Sequence, residues 1–280
     1  MPENQLNEQS LEMIKEVAKE VAKDVYDDVG RPVAKPTGEL VGLVPRAIKA
    51  ALAPVEKWVL QREYNVAETK KLLEEKLQST PPNLIQPPEP HIAVPALQYI
   101  SYCMDNEELR DMYANLLANS MNSVVKNGVH PGFVEIIKQL CPDEAKFLRY
   151  MKGHTRVPTL GLRYMKDGMG GGVDIIKDFS NVPELAGCEQ VFDSQKYIDN
   201  LVRLGLLERS VSSSLTNKDK YEPLKNHQYI AQYNNDERAQ SWGYSKCEFE
   251  EGYIDLTAYG KSFCAVCLGV AKVMRVTMQK

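Results

Sequence analysis

The sequence predicts a mainly α protein: a helical N-terminal and central bundle, followed by a C-terminal winged-helix-like α+β module. Three observations predict it. From Asn106 to Met151, apolar residues recur in steps of three and four, with breaks at Asn127-Gly128 and Pro142. A second stripe of that kind, in FDSQKYIDNLVRLGLLERS, runs straight into a short apolar strand pattern. The stretch YIDLTAYGKSFCAVCLGVAKVMRV then reads as a strand from Tyr253 to Leu256, a Thr257 cap and a last helix burying Phe263, Val266, Cys267, Val270 and Val273.

In chain order, residues 1–37 form an N-terminal helix and linker. Ile14, Val17, Ala18, Val21, Val25 and Val29 make its stripe, and Gly30-Arg31-Pro32 ends it. Residues 38–80 form an amphipathic helical segment interrupted by Pro45 and Pro54. Two readings of its first part stay open. Its apolar face packs on the helical core, or 38–60 is a membrane or partner helix, with Arg46, Lys49 and Lys57 near lipid head groups and Trp58 at the boundary. Within the same segment, 65–78 is a charged helix with Val66, Leu72, Leu73 and Leu77 inward. Residues 81–90 form a proline-rich, extended spacer.

The central helical core spans 91–152. A helix from His91 to Met104 leads into one capped by Asn106, with Leu109, Met112, Tyr113, Leu116, Leu117, Met121 and Val124 on its apolar side. Pro131 and Pro142 suit the first turns of two further helices, because a missing N–H there costs no bond. Phe133, Ile136, Ile137 and Leu140 form one inner face; Ala145, Leu148, Tyr150 and Met151 form the next. Residues 153–190 are a glycine-containing connection, in which TRVPTLGLRYMKDGMGGG reads as a flexible loop. It is no phosphate loop, since GxxxxGK[ST] is absent and no apolar strand precedes it.

Residues 191–280 are the winged-helix-like module: helix, LGLLE strand, polar wing, a second extended piece through Tyr229, Ile230 and Tyr233, then the IDLTAYG strand and helix. Its candidate nucleic-acid or partner surface is Gln195, Lys196, Asn200 and Arg203 on the helix, with Lys218 and Lys220 in the wing. Asp199, Asp219 and Glu222 dilute those cations, so the pattern favours a protein partner over phosphate.

Composition narrows the function classes. A net charge of −4 and a pI near 5.7 exclude a polycation that coats nucleic acid. Six cysteines and a polar start, MPENQLNEQS, fit reduced thiols in a cytoplasm, with membrane association only if 38–60 touches lipid. The lone CxxC, Cys264 and Cys267, lies in an apolar helix and reads as buried structure. None of His91, His130, His154 and His227 lies in HExxH, and GxSxG is absent. No metal, cofactor or catalytic residue is expected.

The runs EELRDMYANLLANSM and VHPGFVEIIKQLCPDEAKFL resemble the core of the Abi-alpha (abortive infection alpha) family of bacteria and prophages. His130, Pro131, Phe133, Pro142 and Glu144 fall within that motif. The resemblance implies phage defence and carries no established chemistry. The expected function is anti-phage defence of abortive-infection type, acting by binding a phage or host protein or by perturbing a membrane, rather than by catalysis. The alternatives are a winged-helix DNA-binding regulator and a cryptic metal-dependent nuclease. Homo-oligomerisation and peripheral membrane contact are compatible with the pattern.

Overall fold

The computed structural model describes residues 66–269, apart from 104, 169, 170 and 211. The expected N-terminal helix within 1–37 and the segment 38–60, including Arg46, Lys49, Lys57 and Trp58, lie outside the described residues, as do Val270 and Val273. The chain is mixed α+β and divides into two compact units. One runs to Gln139 and includes the residues from Ala265 onward; the other is Leu140–Cys264.

The first unit contains α1 (Val66–Leu77), α2 (Pro90–Ile100), α3 (Glu107–Ser120) and α4 (Gly132–Lys138). The other three helices pack on α3 or its neighbours. The Asn106 side chain accepts the Leu109 N–H at 3.0 Å and caps α3, whose first turn carries Glu107 and Glu108 at the positive end of the dipole. Met112, Tyr113, Leu116 and Leu117 are buried, with Leu73 and Leu77 of α1, Ile100 of α2, and Phe133 and Ile137 of α4. Each such side chain contributes about 1.5–3 kcal/mol by leaving water. The proline-rich stretch is held in this unit: Ile85 forms a bridge to Asn122, and the Gln86 N–H donates to the Met121 carbonyl at 2.8 Å.

Helix α3 stops at Ser120, short of the expected Asn127-Gly128. Asn119, Ser120, Asn122 and Ser123 offer side-chain oxygens that compete for backbone N–H groups. Asn122 takes the Val124 N–H at 3.1 Å, and Val124, expected inside, is exposed.

Two buried amides of α3 tie down the end of the last described helix. Asn115 donates to the Cys267 carbonyl at 3.0 Å, and Asn119 to those of Val266 and Gly269 at 2.8 and 3.1 Å. The last carbonyls of a helix have no partner within it, so these amides replace the missing donors. Asn119→Ala is expected to lower stability by about 1–3 kcal/mol, the cost of stranding buried acceptors. The urea midpoint measures it, and an unchanged midpoint would show that the amides hold nothing.

The second unit contains α5 (Pro142–Lys152), β1 (Val157–Met165), β2 (Gly172–Phe179), α6 (Val182–Leu185), α7 (Ser194–Arg203) and β3 (Leu207–Ser210). It continues with α8 (Glu222–Lys225), α9 (Gln228–Ala231), α10 (Asp236–Ser241), β4 (Lys246–Leu256) and α11 (Ala258–Cys267) as far as Cys264. The four strands form one antiparallel sheet in the order β2-β1-β4-β3.

Two expectations are corrected here. The stretch read as a flexible loop is the hairpin β1–β2. Leu160, Leu162 and Tyr164 alternate along β1 and are buried, while Pro158 lies outside the β1–β2 pairing and Gly161 meets the Glu250 Cβ across the strands. The polar wing with an extended piece through Tyr229 and Tyr233 is instead a helical layer. Leu215, Tyr221, Leu224, Ile230 and Ala239 pack over Leu160, Leu162 and Tyr164. Helix α7 packs on β2 and β3, and α5 packs on α7 and β4.

Candidate functional site

Helix α7 presents Gln195, Lys196, Asp199 and Arg203 outward, with Tyr197, Ile198 and Leu201 buried beneath. Its seat is built by the start of α5. Pro142 opens that helix, and the Cys141 N–H donates to Glu144 Oε2 at 2.8 Å in a capping box. The other Glu144 oxygen accepts from Asn200 Nδ2 at 2.8 Å. Asp143 is buried and accepts the N–H groups of Glu189 and Gln190 at 2.9 Å and the Tyr197 hydroxyl at 2.8 Å. Burial pushes this carboxyl up, but those hydrogen bonds outweigh it and hold it below the usual carboxylate range. The same burial and the neighbouring carboxylate push the Tyr197 hydroxyl up, so it stays a donor. Pro142 and Glu144 are thus structural, and they anchor α7.

The cations proposed for phosphate contact have partners of their own. Lys196 meets Asp193 at 3.0 Å, and that bond holds its ammonium above the ordinary lysine value. Arg203 donates to Asn200 Oδ1 at 2.6 Å. Arg209 joins Asp199 and Asp178 at 2.7 and 3.0 Å. Lys218 lies on the helical layer, bonded to Glu251, which Lys225 also meets at 3.0 Å. Lys220 is exposed on the same layer. The structure therefore brings Lys196, Asn200 and Arg203 onto one face of α7, with Gln195 exposed beside them, and sets Lys218 and Lys220 on a different element.

The motif residues of the first unit serve its corner. His130 Nδ1 accepts the Gly132 N–H at 3.0 Å, Pro131 precedes α4, and Phe133 is fully buried. Cys264 and Cys267 are both buried, and burial pushes the Cys264 thiol up to about 12, against thiolate chemistry. Among the described residues, no three His, Cys, Asp or Glu side chains gather where they could hold a metal ion. Within them no helix is long and apolar enough to cross a membrane.

Sequence reasoning missed two features. The partners of Asp143 lie more than forty residues away in the chain, so no local pattern announced them. An exposed aromatic row through Phe192 and Trp242 was also missed. Its one local signal was Arg238 and Trp242, four residues apart behind the Asn235 cap.

Fold and surface together define a two-unit α+β protein whose outer helix is seated by an acidic helix start. The chain belongs to the abortive infection alpha family, whose profile matches residues 61–267. No curated protein matches it. Among solved structures, it is similar to an uncharacterized protein from the marine bacterium Alcanivorax borkumensis SK2. That match has 17% identity and a TM-score of 0.34, and it covers 48% of this chain and 90% of the other.

Proposed function

We propose that this protein is an anti-phage factor of abortive-infection type that acts by binding a protein partner rather than by catalysis. Family membership supports the defence role. The observation that carries the binding mode is the charge state of α7: its cations are engaged by Asp193 and Asn200, and Asp199 is engaged by Arg209. A helix that must neutralise phosphate keeps its cations for the phosphate.

The second unit supports a winged-helix-like module. Helix α5, β1, α6, α7, β3 and β4 follow in that order, with β4 between β1 and β3. The hairpin strand β2 is added outside β1, and the helical layer replaces the wing. Such modules also bind proteins, so connectivity leaves the ligand to be decided by the surface. Among the described residues no disulfide is found, which suits a reducing compartment such as the cytoplasm.

The test is phage challenge of cells carrying the full chain, scored for plaque number and survival of infected cells. It is run beside duplex-DNA binding and nuclease assays on purified protein. Protection is expected with no nucleic-acid cleavage. Lys196→Glu with Arg203→Glu is expected to leave DNA affinity within about twofold, because no phosphate contacts are lost. A steep salt-dependent affinity abolished by those changes, or metal-dependent cleavage, would overturn the reading.

A further inference from the structure

One side of the second unit carries a continuous row of rings and cations. Phe192 stacks on Tyr229 with centroids 5.5 Å apart, and Tyr229 stacks in turn on Phe179 at 5.5 Å. Tyr229 meets Tyr233 edge-on at 5.8 Å. The Arg238 guanidinium lies 4.8 Å from the Tyr233 ring centre and 5.8 Å from that of Trp242. Trp242 ends the row against Tyr164, and Lys166 sits over Tyr244 close by. Phe192 is 49% exposed and Trp242 56%, so the row offers a large apolar group to water at each end. Folding does not require this exposure: the helical layer already buries Tyr221, Leu224 and Ile230.

The charges of the row are uneven. Arg238 donates to the Gln232 carbonyl at 3.0 Å, and among the described residues neither it nor Lys166 is held by a carboxylate. Of the nearby acids, Asp236 accepts the Cys247 N–H at 2.8 Å and Glu184 pairs with His227 at 2.9 Å, while Glu237 is exposed. Trp, Tyr and Arg are the side chains that dominate binding energy at protein interfaces: the aromatics bury large area at small entropy cost, and Arg adds a planar, preorganised set of donors. A guanidinium framed by rings and held by no carboxylate complements a carboxylate flanked by apolar groups. Nucleic acid fits less well: a phosphate chain sets several charges beside Asp236 and Glu237, which adjoin Arg238, whereas a single carboxylate sets one charge against the guanidinium.

We infer that the row Phe192–Tyr229–Tyr233–Arg238–Trp242 is a docking surface for a segment of a partner protein that sets an acidic residue beside bulky apolar side chains. The inference rests on the reading that the protein acts by binding, and it names the face and the partner's chemistry. The probe is a random heptapeptide display library selected on the full chain. The enriched peptides are then resynthesised and measured by titration against wild type, Arg238→Glu and Trp242→Ala. Both side chains are exposed, so both variants should fold, with wild-type circular dichroism and melting as the check.

Enriched peptides are expected to carry Asp or Glu next to Phe, Trp or Leu, and to bind each variant at least about tenfold more weakly. Failure to enrich any peptide, enrichment of basic peptides, or equal affinity for wild type and both variants overturns the inference. Displacement of the peptides by oligothymidylate also overturns it, in favour of single-stranded nucleic acid. These outcomes are separate from those that would sink the defence-by-binding reading, which fails on nucleic-acid cleavage or salt-steep DNA affinity whatever the peptides do.

Discussion

Gly260→Ala is expected to unfold the second unit or weaken it by more than about 4 kcal/mol, the range reserved for backbone overlap and broken networks. Helix propensity alone points the other way, because alanine is better than glycine in a helix by roughly 1 kcal/mol. Contact decides the sign. A Cβ at Gly260 would stand 2.0 Å from the Leu206 carbonyl oxygen and 2.8 Å from its carbon. Both are backbone atoms, so no rotamer change relieves the overlap. The same turn carries the cap of α11: the Thr257 hydroxyl donates to the Gly205 carbonyl at 2.6 Å and accepts the Gly260 N–H at 2.8 Å. Pushing α11 away from Leu206 breaks that cap and pulls on the β3–β4 pairing just beyond it, Leu207 with Leu256. Gly128→Ala is the control, with nothing within 4 Å of the added carbon and an expected change within about 0.5 kcal/mol. Thermal melting of the two variants side by side measures the contrast. Equal melting temperatures would mean that α11 and the Leu206 turn do not approach as described.

The helices that sequence reading found are those whose apolar residues repeat over several turns. Helices α1, α3, α5 and α7 each show such a stripe, and each forms close to its expected limits at the start. Helix ends were harder to read. Nothing local distinguishes Asn122, which takes the Val124 N–H just past the end of α3, or Asn119, which donates to distant carbonyls, from polar residues on a solvated face. Strand β1 was hidden by Pro158 and Gly161, although Leu160, Leu162 and Tyr164 already alternated. The helical layer was invisible because α8 and α9 are four residues each, too short to show any period. Phe192 fits the helical spacing of FDSQKYIDNLVRLGLLERS, yet it lies before α7 and faces water. Its neighbour in space is Tyr229, thirty-seven positions on, and that pairing depends on the tertiary fold alone. What was least legible in the candidate surface is therefore what long-range packing creates.

Asp143 is a long-range anchor, and Asp143→Ala should cost about 3–5 kcal/mol, since it strands three donors at about 1–3 kcal/mol each. The change strands the N–H groups of Glu189 and Gln190 and the Tyr197 hydroxyl, which have converged on one carboxylate. It also loosens α7, because Tyr197 is that helix's deepest polar anchor and Asn200 bonds to the adjacent Glu144. The pH dependence gives an independent check. The folded state holds the Asp143 carboxyl below its ordinary value. Its contribution is therefore fully present above the unfolded-state value, about 3.9, and is lost as pH falls through the folded one. The stability gap between wild type and Asp143→Ala should be widest near neutrality and should narrow in acid. Tyr197→Phe removes one donor and keeps the ring against Phe147, so it should cost about 1.5–3 kcal/mol. The double variant should cost less than the sum of the two, since the hydroxyl has no carboxylate left to lose. Urea denaturation at pH 7 and pH 3 reads all three. A gap that stays constant between those two values would mean that the cluster is held by shape rather than by charge, and would remove the acid helix start as the reason α7 sits where it does.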